Sequence, residues 1–405
     1  MLLHSIQMRS LLSYGTNSEA IPLKSLNVII GPNGSGKSNL LEGLALIQSA
    51  PGQLVTTIRD GGGIHDWLWK GSNPPTTASL EIIVELPNRS GQMPLRYRFD
   101  FTESGNRFEI VDERIENYEA FSGNNEPYFY YRYENNHPVL NVKTNAKGNA
   151  KKRHLRREDV NPEQSILAQR RDPDIYPEIT TLAETLAKIR IYRDWSLGRN
   201  SLPRLPQPSD LPNQWLEENA RNLGLVLNRL RRDLVTKNKL LEAFKAIYSE
   251  AQDFDVMIEG GTVQIFVQES RFNVPATRLS DGTLRYLCLL AILYDPNPPP
   301  LICIDEPELG LHPDLINHIA EALRFASTNT QIIVTTHSTI LVDAFTDDPE
   351  VILVCEKSDG CSTIRRLDAQ HLEPWLKNYR LGTLWTSGEI GGTRWDLQKL
   401  TRTFQ

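Results

Sequence analysis

The octet Gly31-Pro32-Asn33-Gly34-Ser35-Gly36-Lys37-Ser38 limits what this chain can fold into more than any other stretch. It follows an apolar run, Leu26 to Ile30, and precedes a helical pattern that puts Leu40, Leu41, Leu44 and Ile47 on one face. Strand, glycine loop, helix is the context of a phosphate-binding loop. Small residues let successive backbone N–H groups close around phosphates, and the helix presents its positive dipole end to them. In that setting Asn33, Gly34, Ser35, Gly36 and Asn39 belong to the phosphate cradle, Lys37 reaches the β/γ-phosphates, and Ser38 holds Mg²⁺ through its hydroxyl. A chance Gly/Ser-rich turn is the competing reading, and the complete pattern between strand and helix disfavours it.

A length of 405 residues suggests two or three domains, and 40% apolar content suffices for a substantial core. The four cysteines (Cys288, Cys303, Cys355, Cys361) lack CxxC spacing, and three sit in apolar runs, so they read as small core residues in a reducing cytoplasm. No basic region followed by an apolar stretch opens the chain, and no run of apolar residues is long enough to span a bilayer, so a cytoplasmic protein with no membrane contact is expected. The formal charge of -6 does not advertise nucleic acid, and any basic surface must be local.

Leu2 to Leu23 patterns as a strand and hairpin leading to the loop. Gly61-Gly62-Gly63 and Trp67-Leu68-Trp69 form a glycine and tryptophan patch, read as packing under a loop rather than stacking on a base. Strand-like runs at Leu80–Leu86, Leu95–Thr102, Phe108–Ile115, Tyr128–Tyr133 and Val139–Val142, separated by Asn, Gly and Pro, predict an antiparallel meander. The window Lys147 to Arg157 is the most basic in the chain; an exposed loop is the default reading and contact with a DNA backbone the alternative. Helical spacing then recurs from Gln164 to Trp195 and from Asn213 to Ala251, divided by the proline-rich Leu202 to Pro208. Arg229, Arg231 and Arg232 read as a solvated cluster on the outer face of this helical lobe. Asp255–Ile258 and Val263–Gln268 flank Gly260-Gly261 as a hairpin would.

Nucleotide chemistry returns at Leu301-Ile302-Cys303-Ile304-Asp305-Glu306, a buried strand ending in two carboxylates. Asp305 would hold the Mg²⁺ shell and Glu306 would polarise the attacking water. A second buried strand, Gln331 to Thr335, leads to His337, which could donate to the γ-phosphate. Between the hairpin and these strands, Ser280-Asp281-Gly282 opens a helix bearing Leu284, Leu287, Cys288 and Ala291, a further anion-binding helix start. Two anion sites far apart in one sheet suggest that one serves a neighbouring subunit.

The motif order GPNGSGKS, LSDGT, LICIDEPE, TTHS resembles the ATP-binding-cassette ATPase superfamily, within it the heads related to RecF, SMC, Rad50 and the overcoming-lysogenization-defect ATPases. Glu306 to Pro313 and the tail Leu381 to Gly392 resemble the standalone bacterial ATPases of that branch, as do Arg190 to Trp195 and the proline-rich loop after it. The resemblance implies an α/β P-loop NTPase of ABC/RecF head type with an antiparallel β subdomain and a helical insertion. Its parts are expected at 1–145 (P-loop and meander), 146–252 (basic loop and helical insertion) and 253–405 (signature, Walker B strand and His337). It further implies an Mg²⁺-dependent ATPase whose homodimer, or higher even-numbered oligomer, sandwiches ATP head to tail, with Ser280, Asp281 and Gly282 of one subunit reaching the γ-phosphate bound by Lys37 of the other.

Within the resemblance, an anti-phage defence or DNA-processing ATPase is expected, working with a separate effector such as a TOPRIM-like nuclease, because too little chain follows His337 for a fused one. A RecF-like repair ATPase is the alternative, and a transporter ATPase subunit a weaker one. Against the last stand the long gap between Lys37 and Asp305, Asp281 where transporters commonly carry glycine, and the lack of a decisive glutamine lid among Gln48, Gln53 and Gln92. A GTPase would want Asn-Lys-x-Asp; Asn238-Lys239-Leu240-Leu241 lacks the aspartate.

Overall fold

The structure is a computed structural model describing residues 1–71, 74–87, 93–134, 137–143, 150–193, 195 and 197–393. Gln92, Lys147 to Asn149 and Asp194 lie outside the described residues. Two compact units are present, one built from Met1–Lys24, Gly31–Ile189 and Val354–Arg365, the other from Ser25–Ile30, Arg190–Leu353 and the chain from Arg366 onward. The stretch 146–252 contributes to both.

The first unit contains an eight-stranded antiparallel sheet in the order Ile21–Pro22, Leu3–Arg9, Thr77–Val84, Leu95–Ser104, Arg107–Asn117, Phe129–Glu134, His137–Lys143, Ala150–His154. Alternation explains it: Leu80, Ile82 and Val84, then Tyr97, Phe99 and Phe101, are fully buried at every second position. Ring centroids of Tyr97 and Phe99 lie 5.6 Å apart and those of Phe99 and Phe101 5.7 Å, so each buried ring adds about 2 kcal/mol of burial and pairs along one face. The meander is therefore as expected from the sequence. The basic window is not a loop throughout. Its Ala150–His154 part is a strand in which Lys152 pairs with Glu134 at 2.9 Å and lies over the Phe129 ring, while Arg153 donates to the Tyr176 hydroxyl. Trp67 is buried and donates to the Ile58 carbonyl, with Gly61 packed on its indole, as the packing reading requires.

Glu113 is a charged residue inside this sheet, 2% exposed. Its carboxylate accepts from Ser165 Oγ (2.5 Å), Tyr97 OH (3.0 Å) and the Ile166 N–H (2.9 Å). Burial outweighs these bonds and raises its pKa from 4.5 to about 7. Between those values the folded protein holds a proton that the unfolded chain has lost. Stability should therefore be highest below pH 4.5 as far as this group is concerned, fall by up to about 1.4 kcal/mol per pH unit through the window, and level off above pH 7. Glu113→Gln should flatten that slope in urea melts taken from pH 5 to 8; an unchanged slope would assign the pH dependence elsewhere.

The second unit is built on four parallel strands in the order Arg190–Tyr192, Leu301–Asp305, Gln331–Thr335, Leu26–Ile30. Leu26–Ile30 and Gln331–Thr335 are buried at all five positions, which is why they read as continuous apolar runs. Arg190–Tyr192 corrects the helical reading of Gln164–Trp195: helices occupy Ile166–Gln169 and Pro177–Leu186, and then Ile189 and Ile191, two apart and both buried, mark a strand against Leu301–Asp305. Within Asn213–Ala251 the helices are Leu223–Leu230 and Leu234–Lys245, the second capped by Asp233, which accepts from the Thr236 N–H, whereas 213–222 runs in turns instead of the expected helix. Asp253–Glu259 and Thr262–Gln268 form the expected hairpin, joined by Gln207–Pro208 and Asn273–Pro275 in a small antiparallel sheet. Two arginines of the lobe are not merely solvated, because Arg229 pairs with the buried Asp295 and Arg231 with Asp255, while Arg232 is exposed as expected. Cys288, Cys303 and Cys355 are buried free thiols, and Cys361 is half-buried. Among the described residues no helix is long and apolar enough to cross a membrane.

Candidate functional site

In the first unit the Gly31–Ser38 loop runs into the helix Lys37–Ser49, entered through Gly36 in the left-handed region (φ 113°). The loop is held from behind. Tyr14 OH donates to the Gly36 carbonyl (3.1 Å), and the Ser35 carbonyl accepts from Ser362 Oγ (2.5 Å) and Cys355 Sγ (3.3 Å). Ser362 Oγ lies 2.7 Å from Ser13 Oγ, to which Asn39 Nδ2 donates at 2.8 Å. A Cβ at Gly31 would collide with the Cys355 carbonyl, and one at Gly36 with the Ser362 hydroxyl, so side chains at these positions would push the loop off its support.

The front of the loop is open. Asn33, Gly34 and Ser38 are exposed, and among the described residues a Cβ at Gly34 would meet nothing within 4 Å and no side chain caps the helix start or places an acid in its first turn. Ser35 Oγ is buried without a hydrogen-bond partner among the described residues. Lys37 is 6% exposed and donates from Nζ to the Gly31 (2.7 Å) and Pro32 (3.2 Å) carbonyls, arching over the loop. Uncapped amides, an orphaned hydroxyl and a lysine within reach are the donor set of a triphosphate, and the residues fit that ligand. Gln48 instead donates to the Ile189 carbonyl, and Gln53 caps the Leu54–Asp60 helix with its backbone.

In the second unit, Asp305 closes its strand and accepts from Thr335 Oγ1. Glu306 follows with φ 46°, a left-handed conformation that costs a non-glycine residue about 1 kcal/mol or more and is retained where structure overdetermines it. Here Thr335 does so: the Glu306 N–H lies 3.2 Å from both the carbonyl and the hydroxyl of Thr335. The turn aims the Glu306 side chain to within 3.5 Å of His337 Nε2, both groups about one-third exposed. Carboxylate and imidazole, separated by sequence, thus meet at the end of two adjacent strands.

Ser280 caps the helix Asp281–Leu293, its Oγ accepting from the Thr283 N–H at 3.0 Å while the residue stays exposed. Gly282 packs on the Gly310 carbonyl, in the turn that follows Glu306. The Asp281 carboxylate is engaged by Arg204.

Sequence reading missed several residues. Glu308 Oε1 accepts from Thr336 Oγ1 (2.6 Å) and the His337 N–H (3.0 Å), and its Oε2 is buried with no partner among the described residues. Arg285 is 9% exposed, lies over the Trp195 ring at 5.5 Å and donates to the Glu306 carbonyl at 3.4 Å. Their available signal was adjacency alone: Glu308 two residues after Glu306, Arg285 one turn into the Ser280 helix. Glu308→Ala should release the His337 turn and lower kcat by about 10-fold, the scale of one lost hydrogen bond to a charged group, with nucleotide affinity unchanged. Phosphate release and nucleotide titration measure the two separately.

Residues 26–343 match the family described as "AAA domain, putative AbiEii toxin, Type IV TA system". The chain belongs to that family. Over 184 residues this AAA-domain protein is 28% identical to the Old nuclease of Escherichia phage P2, covering 41% of its own length and 30% of the phage protein. Over 117 residues it is 27% identical to the chromosome partition protein Smc of Mycolicibacterium paratuberculosis, covering 27% of its own length and 10% of Smc. It therefore spans less than a third of these relatives. Its fold is that of an Smc head crystallised with the C-winged helix domain of ScpA (TM-score 0.58, 15% identity, 92% of this chain and 100% of that one). An Smc head from Pyrococcus furiosus with an extended coiled coil is similarly placed (TM-score 0.56, 14% identity, 93% and 99%). The AAA-domain protein is an ABC-type P-loop ATPase domain of the RecF, SMC and overcoming-lysogenization-defect branch, with an antiparallel and a parallel sheet, and a nucleotide is its implied ligand.

Proposed function

We propose that this domain binds and hydrolyses ATP as a switch that closes two copies head to tail. The observation that carries the reading is the order of the chain. The strand that runs directly into Gly31 is the parallel neighbour of Gln331–Thr335, which is in turn the neighbour of Leu301–Asp305. In the chain the phosphate loop follows directly on that strand, and Asp305 closes another strand of the same sheet, a sheet class whose ligands bind beyond the carboxyl ends of its strands. Asn33 to Asn39 would cradle the phosphates and Lys37 would leave its loop carbonyls for them. Glu306 would accept the proton of the attacking water, with His337 donating to the γ-phosphate. Ser38 and Asp305 are the residues that would hold Mg²⁺, which would supply charge neutralisation for phosphoryl transfer.

Ser280, Asp281 and Gly282 would serve a second copy. Their support is geometric: an exposed serine hydroxyl at a helix start, in the same unit as Glu306 yet carried on a different element. Sizing by light scattering should show doubled mass with a non-hydrolysable ATP analogue and Mg²⁺ but not with ADP; a monomer in both contradicts the switch.

The biological setting we favour is anti-phage defence or DNA processing with a separate effector, supported by the kinship with a phage protein named Old nuclease and by the family description. Within the basic window that motivated DNA contact, Lys152 and Arg153 are engaged within the fold, while Arg156 is exposed. The effector reading thus leans on kinship alone. Purified protein with ATP that neither binds DNA nor retains a partner from its native host would remove it.

A further inference from the structure

Asp281 is an awkward residue for the place it occupies. A carboxylate next to a serine that must approach a triphosphate adds repulsion between like charges. The surroundings of that carboxylate resolve the conflict. Arg204 lies in the proline-rich segment, 6% exposed, inside the single turn Leu202–Arg204. Its guanidinium donates from Nε to the Leu197 carbonyl (3.1 Å), from Nη1 to the Ala276 (3.2 Å) and Leu279 (2.5 Å) carbonyls, and from Nη2 to Asp281 Oδ1. One planar fork therefore grips the backbone immediately before Ser280 and the side chain immediately after it.

The segment that carries Arg204 is itself fixed. Gln207 Nε2 donates to the Pro203 carbonyl, its Oε1 accepts from the Gly224 N–H at 2.8 Å, and Gln207–Pro208 pairs with Thr262–Val263. Leu223–Leu230 and the small antiparallel sheet thus hold the fork, and the fork holds the turn. A lysine could not replace it, because a single ammonium cannot span four acceptors in one plane.

We propose that Arg204 is the positioning residue of the Ser280 turn, and that Asp281 acts as its anchor with its charge neutralised by the guanidinium instead of contacting phosphate. This rests on the reading that Ser280 serves the γ-phosphate of a second copy. Arg204 touches no substrate in that scheme; it acts through Ser280.

The test compares Arg204→Gln, Asp281→Asn, the double variant and Ser280→Arg, each checked for folding by thermal melt. ATP affinity of the protomer, ATP-driven dimerisation and kcat are the readouts. Arg204→Gln should bind ATP as the unaltered protein does, yet lose about 30-fold in kcat and dimerise poorly, because the turn is loosened and Asp281 faces phosphate unneutralised. Asp281→Asn should cost only about threefold, since an amide oxygen still accepts from Arg204. In the double variant the repulsion is gone, so kcat should recover to within about 10-fold of the unaltered protein. A purely structural role would make the double variant worse than either single one, and that result, or an unaffected Arg204→Gln, overturns the proposal. Should Arg204→Gln fail to fold, Arg204→Lys carries the same comparison, with about a 10-fold loss expected and undiminished kcat overturning it. Ser280→Arg separates the two claims: if it leaves kcat and dimerisation intact the second-copy reading fails, whereas its loss beside an unaffected Arg204→Gln defeats the positioning role alone.

Discussion

Replacing Glu306 by glutamine is expected to cut ATP hydrolysis by about 10²- to 10³-fold, the scale of a lost general base, while a long-lived ATP-bound dimer accumulates. The side chain sits 3.5 Å from His337 Nε2 on a backbone held at φ 46°. Glutamine keeps the size of the residue and the donor from its own N–H to Thr335, so the turn and its strain are unchanged. What disappears is the anionic acceptor for the proton of the attacking water. Binding, which rests on the Gly31–Ser38 loop, should persist, and the closed state should be populated because its only exit is hydrolysis. Single-turnover phosphate release and size-exclusion in ATP and Mg²⁺ measure the two halves of this expectation. Undiminished turnover would move the base to another residue, and Glu308 would be the first to examine, since its Oε2 is buried without a partner among the described residues.

How much of this was legible without coordinates depended on the range over which each feature is determined. The loop Gly31–Ser38 and the strand Leu301–Asp305 are local: glycine spacing and an unbroken apolar run report backbone shape and burial directly. The hairpin around Gly260-Gly261 is local too, with both glycines at positive φ. Arg190–Tyr192 was hidden because three residues carry too few periods to separate strand from helix, and only the neighbouring strand decides. Arg204 and Asp281 are 77 positions apart, and nothing in either sequence neighbourhood announces a guanidinium shared among three carbonyls and a carboxylate. The same holds for Arg229 with Asp295, which turned an apparent solvated cluster into a partly buried ion pair. Asp305, Glu306 and His337 were identifiable by type and order, but the contact between the last two arises from the left-handed turn at Glu306, and a glutamate there gives no sign of its φ.

Mixing two inactive variants is expected to restore activity that neither has alone. Lys37→Ala removes the ammonium that would reach the phosphates, and Ser280→Arg puts a long cation where an exposed hydroxyl caps the Asp281–Leu293 helix. Each variant alone should lose at least about 10²-fold in kcat/KM, as expected when a charge clamp on a transferring phosphoryl group is lost. In a head-to-tail pair, one composite site of a mixed dimer carries both lesions and the other carries neither. Random pairing makes half the dimers mixed, each with one intact site, so about a quarter of the original activity should return. The geometry is what makes the sign unambiguous. If Ser280 worked on nucleotide bound within its own chain, every site in every pairing would keep a lesion, and mixing would restore nothing. Dilution then supplies an internal control: recovered activity must fall as the square of concentration below the dimer dissociation constant, because the intact site exists only while two chains stay together.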